Sequence, residues 1–155
     1  MDLNAVCSGF VYGLVTAMQY IEGGLDRVLL IGADALSGIV DWEDRSTCVL
    51  FGDGAGAAVV RPANGSGRGI LSSHLRSDGN LAELLFRPAG GALLPMSQAV
   101  LDEGTHLVRM RGREVFKHAV RNMAEACDNA LQAAGLTPDD IDLLIPHQAN
   151  MRIIE

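Results

Sequence analysis

Two residues in this chain combine reactive side chains with distinctive surroundings. Cys7 lies in Asn4-Ala5-Val6-Cys7-Ser8-Gly9-Phe10, and His147 lies in Ile145-Pro146-His147-Gln148-Ala149-Asn150. The thiolate is the reactive form of cysteine, and a helix N-terminus lowers a thiol pKa by stabilising negative charge. Free main-chain amides at such a terminus can also hold the oxyanion of a thioester under attack. Ser8 and Gly9 are small and leave the sulfur approachable. His147 follows an apolar stretch and a proline, where strand ends meet ligands in α/β folds. A neutral imidazole there can donate to a carbonyl oxygen or accept a proton. Cys/His pairs of this kind meet in space from distant places in sequence. The chemistry they point to is acyl transfer through a thioester. The competing reading is a buried structural cysteine and a hydrogen-bonded surface histidine.

The remaining reactive residues carry weaker signals. Cys48 falls in a strand-like stretch and Cys127 within a long helical one, and both take the structural reading. His74, His106 and His118 have no ligand-like spacing, so no zinc or other metal site is expected. Gly52-Asp53-Gly54-Ala55-Gly56-Ala57 satisfies a Gly-x-Gly-x-x-Ala dinucleotide pattern, which requires a helix to follow. Ala57-Ala58-Val59-Val60 favours a strand instead. A β-hairpin with close backbone approach is therefore the expectation, with Asp53 bonded within its turn. Arg109, Arg111, Arg113 and Lys117 cluster, with Arg45 earlier and Arg152 later. Such a patch suits an anionic partner, or is a solvated helix face with ion pairs.

The elements that must position these residues follow from periodicity. Residues 3–6 read as the end of a buried strand. A strand running straight into a nucleophile suggests that the chain begins inside a domain. Residues 8–22 place Phe10, Leu14, Ala17, Met18 and Ile21 on one helical face, and Gly23-Gly24 ends that helix. The aliphatic run within 27–33 reads as a strand covered on both faces. Residues 37–46 are irregular, 47–51 a short strand, 52–56 a turn and 57–61 a strand. Residues 62–69 form a loop and the best candidate for a seam. Strands are expected at 69–77, 81–87, 105–110 and 141–145, with loop at 88–95. The clearest helix is 114–134, stopped by Gly135. Thr137-Pro138-Asp139-Asp140 starts a short helix, and another begins at 148.

Composition bounds the reading. At 155 residues the chain is long enough for one ordinary domain with a core. It is 48% hydrophobic with 18 glycines, which fits a tightly packed α/β protein. Its net charge of −7 argues against a nucleic-acid binder. No apolar run reaches the roughly 18 residues of a membrane span. Met1-Asp2 lacks the basic region of a secretory leader. Three widely spaced cysteines form no disulfide framework, so a reducing cytoplasm is expected.

At these residues the chain resembles β-ketoacyl-acyl-carrier-protein synthase III, a family of the thiolase superfamily. The resemblance is carried by residues 2–10, by Asp44-Arg45 with Phe51-Gly52-Asp53-Gly54-Ala55-Gly56-Ala57, by residues 110–117, and by Pro146-His147-Gln148-Ala149-Asn150-Met151-Arg152. The last is the most specific of the four.

The resemblance implies an incomplete α/β thiolase-like fold in layers (α-β-α-β-α), with mixed five-stranded-type sheets and buried helices. Residues 1–62 would end the N-terminal half, and 63–155 would hold the linker and the start of the C-terminal half. Cys7 would take an acyl group from coenzyme A, its amide contributing to the oxyanion hole. His147 would hydrogen-bond the malonyl thioester carbonyl. Arg45, Ala149 and Asn150 would lie along the coenzyme A channel. Phe51, Leu85, Met110, Gly112 and Phe116 would border the acyl and pantetheine site. Lys117 and Arg152 would face the acyl carrier protein, a strongly anionic partner that suits electrostatic steering.

The implied reaction is the initiating condensation of fatty-acid synthesis, from an acyl-CoA primer and malonyl-carrier protein. No cofactor is implied, because the coenzyme A thioester is a substrate. A cytoplasmic homodimer is implied, with 3–6 and a hairpin over 51–60 as contact regions. Members of the family are about twice this length. The chain is thus expected to be an internal piece, with unpaired strand edges, an exposed apolar face and negligible activity alone. The alternatives are a relative serving specialised ketide metabolism, or an inactive piece acting only by association. Arg111 and Arg113 stand where smaller or neutral residues are common in the family.

Overall fold

The computed structural model describes residues 1–65 and 67–154. Ser66, within the expected loop at 62–69, and Glu155, at the end of the helix expected from 148, lie outside the described residues. Contacts divide the chain into two compact units. The first comprises Met1–Asp34, Gly54–Arg76 and Glu125–His147; the second comprises Ala35–Asp53, Ser77–Ala124 and the residues from Gln148 onward. The units interleave along the sequence, and neither coincides with 1–62 or 63–155.

In the first unit, α1 spans Gly9–Glu22, as the apolar spacing predicts. It ends where the Gly23 amide donates to the Gln19 carbonyl and Gly24 takes a φ of 102°. The strand β1 follows at Val28–Ala35 and pairs with β2, Asp53–Val60, in a two-stranded sheet. Helix and strand interlock through glycines. A Cβ on Gly13 of α1 would lie 2.5 Å from a methyl of Leu30, and one on Gly32 of β1 would lie 3.2 Å from the Phe10 ring. Each element thus offers a gap to the other's large side chain, and the register of α1 on β1 is fixed.

Several strand expectations in this unit need correction. β1 is not covered on both faces: Leu29 and Ile31 are each 62% exposed. No hairpin forms at 52–56, because Gly54 and Gly56 run extended within β2 and neither takes a positive φ. Residues 3–6 and 141–145 are not strands, and Leu3, Leu143 and Ile145 are exposed. A strand needs a neighbour for its N–H and C=O groups, and neither segment has a ladder partner among the described residues. Residues 69–77 also lack strand structure. They are held by the Ser72 hydroxyl donating to the Ala130 carbonyl at 2.6 Å, and by Arg76 pairing with Glu125 at 2.6 Å.

The second unit holds most of the deeply buried apolar side chains: Val40, Ala89, Val100 and Val108. Thr47 belongs to the same unit and has no exposed surface. Residues 47–51 turn rather than extend. The amides of Thr47 and Cys48 both donate to the Asp44 carbonyl, while the Asp44 carboxylate accepts from the Ser46 amide, the Ser46 hydroxyl and the Thr47 hydroxyl. Side-chain capture of nearby donors outcompetes a strand ladder here. Asp53 bonds a turn other than its own, accepting from the Ser37 amide at 2.8 Å and the Ser37 hydroxyl at 2.6 Å.

The strands β3 (Leu85–Phe86) and β4 (Arg109–Met110) pair antiparallel, Leu85 opposite Met110 and Phe86 opposite Arg109. They occupy only the ends of the longer strands expected at 81–87 and 105–110. A 3₁₀ turn at Gly79–Leu84 and the bend at Gly104 take the rest. Short α2 (Gln98–Asp102), which the sequence reading missed, is capped by the Ser97 hydroxyl accepting from the Val100 amide. The long helix α3 (Gly112–Ala134) matches expectation and stops at Gly135, φ 70°. The expected helix start at Thr137 is a 3₁₀ turn, Pro138–Asp140, with the Thr137 amide donating to the Asp140 carboxylate in a capping box. The last helix, α4, spans Met151–Ile154. Only two-stranded sheets occur among the described residues, in place of five-stranded ones. Among the described residues, no helix is long and apolar enough to cross a membrane.

Candidate active site

Cys7 sits at the middle of a 3₁₀ turn, Val6–Ser8, that runs directly into α1. The Ser8 amide donates to the Ala5 carbonyl at 3.1 Å, and the Gly9 amide donates to the Val6 carbonyl. These bonds take up two of the amides expected to be free for an oxyanion. The amide of Cys7 itself lies close enough to its own sulfur to favour the thiolate. Val6 takes a φ of 49°, the left-handed region that is unfavourable for a β-branched residue. Such a conformation costs roughly 1–3 kcal/mol and persists only where its surroundings impose it.

The thiol opens onto a cleft of about 820 Å³ whose lining includes Cys7, Phe10, Gly13, Leu30 and Asp34. This environment reverses the expected electrostatics. Desolvation by the surrounding protein raises the Cys7 pKa above that of an ordinary thiol, and the Asp34 carboxylate pushes it the same way; the backbone bond only partly opposes them. Asp34, near the end of β1, is a charged neighbour of the thiol that sequence reasoning missed. Its signal was a carboxylate closing an aliphatic run, where ligands gather in α/β folds.

His147 belongs to the same compact unit as Cys7, in an exposed irregular segment, but is not among the residues lining the cleft. In the second unit the structure does bring predicted residues together. Leu85 faces Met110 across β3 and β4, and a Cβ on Gly112 would meet the Met110 methyl at 3.4 Å. Phe116 follows one turn later on α3, half-buried, and Phe51 is half-buried as well. Arg45 is exposed on the loop built around Asp44. Lys117, Ala149, Asn150 and Arg152 are all exposed. The Asn150 carboxamide oxygen accepts from the Arg152 amide at 3.0 Å, so its side chain caps α4. Among the described residues, no group of three or more His, Cys, Asp or Glu side chains is placed to hold a metal ion.

Comparison with known proteins bears on what this arrangement serves. The family model described as 3-oxoacyl-[acyl-carrier-protein] synthase III matches residues 1–79, and the model of that family's C-terminal part matches residues 131–155. The chain belongs to the 3-oxoacyl-[acyl-carrier-protein] synthase III family. Among synthase III relatives, that of Caldanaerobacter subterraneus is 54% identical over 155 residues, covering 99% of this chain and 46% of the relative. That of Symbiobacterium thermophilum is 55% identical, covering 99% and 47%.

The solved synthase III of Thermus thermophilus superposes with a TM-score of 0.86 at 47% identity, covering 99% of this chain and 47% of that one. The priming β-ketosynthase of the R1128 polyketide pathway superposes at 0.80 and 38% identity, covering 99% and 45%. The fold is thus the thiolase-like α/β fold of these synthases, and the chain spans about half the length of the curated relatives it matches.

Proposed function

We propose that this chain supplies the nucleophile-bearing part of a condensing acyltransferase that joins an acyl-CoA primer to malonyl-acyl-carrier protein. The observation that carries the reading is the exposed Cys7 thiol, set in a cleft at the start of α1, in a chain of the synthase III family. The Cys7 sulfur attacks the thioester carbonyl of acyl-CoA. A new C–S bond forms, coenzyme A leaves as its thiolate, and the proton lost from Cys7 ends on that leaving sulfur. Decarboxylation of the malonyl group then gives an enolate, which attacks the Cys7 thioester and expels Cys7. The product is a 3-oxoacyl-carrier protein, with carbon dioxide released.

In this reading His147 donates to the malonyl thioester carbonyl, and the Cys7 amide supports the oxyanion. Arg45, Ala149 and Asn150 border the coenzyme A path, and Phe51, Leu85, Met110, Gly112 and Phe116 the acyl and pantetheine site. Lys117 and Arg152 meet the carrier protein. No cofactor takes part, and the setting is a cytoplasmic homodimer. Desolvation and Asp34 raise the Cys7 pKa, so primer transfer is coupled to proton loss from the thiol. The R1128 priming enzyme supports a second reading, the same chemistry in polyketide initiation.

The test is intact-protein mass spectrometry after incubation with acetyl-CoA, comparing this chain with Cys7→Ala. A single acetyl adduct that requires Cys7 is expected. An adduct that survives in Cys7→Ala, or none on the chain and none on a full-length relative, removes Cys7 as the acyl acceptor.

A further inference from the structure

We infer that Val6 is a positioning residue, whose left-handed backbone fixes the direction in which the Cys7 side chain leaves the start of α1. Among the described residues seven glycines take positive φ, the residue type suited to that region. Val6 is the one non-glycine residue to do so among the described residues, and it immediately precedes the thiol. Its side chain is 67% exposed, so no packed pocket holds it there. The constraint comes from the backbone on either side. Upstream, the Ser8 amide closes a turn onto Ala5, and the Gly9 amide closes the next onto Val6. Downstream, the Gly13–Leu30 and Gly32–Phe10 interlock holds α1 in one register on β1.

The chain must therefore enter a fixed helix from a fixed turn, and Val6 absorbs the change of direction. If Val6 relaxed to the extended or right-handed conformation that a β-branched residue prefers, the peptide plane before Cys7 would rotate and carry the thiol with it. The thiol would then leave its place beside its own amide and Asp34. The inference rests on the reading of Cys7 as acyl acceptor for its biological meaning. Its structural content does not need that reading.

The test measures iodoacetamide alkylation of Cys7 across pH in this chain, with Cys48 and Cys127 replaced by serine, and in its Val6→Asn and Val6→Pro variants. Asparagine tolerates the left-handed region, whereas the proline ring holds φ near −65° and forbids it. Val6→Asn is expected to keep the alkylation rate and its pH midpoint, with a raised Tm. Val6→Pro is expected to change the rate at least about tenfold, a size typical of a misplaced reacting group, and to move the midpoint down toward that of an ordinary thiol. A purely structural defect would lower Tm without moving that midpoint. Equal profiles in the Asn and Pro variants overturn the inference.

If Val6→Pro loses its helical circular dichroism, Val6→Asn decides alone. Unchanged reactivity with a raised Tm supports the inference. A lowered Tm overturns it, because no strain was there to relieve. Acetyl transfer separates the two readings. A chain that shows the Val6 dependence but takes no acetyl from acetyl-CoA keeps this inference and loses the acyl-acceptor reading. A chain acetylated at Cys7 whose variants all react alike loses this inference alone.

Discussion

The two compact units differ in how much they bury and in what they carry. The unit with Cys7 and His147 packs α1 on β1 through two glycines and deeply buries little more than Ala17, while Leu29, Ile31, Val59 and Ile145 face solvent. The other unit gathers Val40, Ala89, Val100, Val108 and Thr47, and ties its loops down with Asp44, Asp53 and the Arg109–Asp41 pair at 3.6 Å. The Cys7 thiol is thus placed by backbone register, and the residues of the second unit by side-chain packing. These two strategies respond differently to mutation, and the difference can be measured.

The largest contrast should come from placing a charge in each unit. Val100→Asp buries a carboxylate with no partner and is expected to destabilise the second unit by about 3 kcal/mol or more. Leu29→Asp puts the same group on the exposed face of β1 and is expected to change stability by less than about 0.5 kcal/mol. Urea unfolding of both variants checks this. Equal losses would mean that the two units share one core.

An intermediate effect concerns the thiol. Replacing Asp34 by Asn removes one of the two influences that hold the Cys7 pKa up, so the pH midpoint of alkylation moves down. It should remain above that of an ordinary thiol, because desolvation is the larger cause. A midpoint that does not respond to Asp34→Asn would place the carboxylate outside the thiol's field.

The smallest effect is in acid. Asp44 and Asp53 have lowered pKa values, Asp44 from bonds to Ser46 and Asp53 from bonds to Ser37. Both carboxylates stabilise the folded chain above the ordinary carboxylate range, and that contribution disappears as pH falls through their lowered values. Asp53→Asn removes its share at neutral pH. Its urea midpoint should therefore fall less than the wild type's between neutral and acidic pH. Parallel pH profiles would show that the Ser37–Asp53 bonds do not contribute.

The sequence made the helices legible and the strands much less so. α1, α3, the Gly24 and Gly135 stops and the Thr137–Asp140 box follow from local spacing and capping, whose partners lie within a few residues. Strands depend on neighbours that local sequence does not name. Residues 3–6 and 141–145 have the composition of strands and no ladder partner among the described residues, and 47–51 gave way to donors captured by Asp44. At the candidate site, Cys7 was legible because its flanking residues announce a helix start. The raised pKa was not, because desolvation of the thiol, and then the reach of Asp34, arise only once β1 lies beside α1. The pairing of Leu85 with Met110 joins residues 25 positions apart, and the family resemblance was what placed both near the acyl site.

The Gly13–Leu30 and Gly32–Phe10 interlock bears on how motion reaches the thiol. Two opposed knobs, one from each element, block α1 from sliding along β1 in either direction, since a shift of one turn would drive Leu30 and Phe10 into backbone. Translation of the helix is thereby removed as a soft coordinate. The axial position of the sulfur is then set by the strand, and its direction by the backbone at Val6.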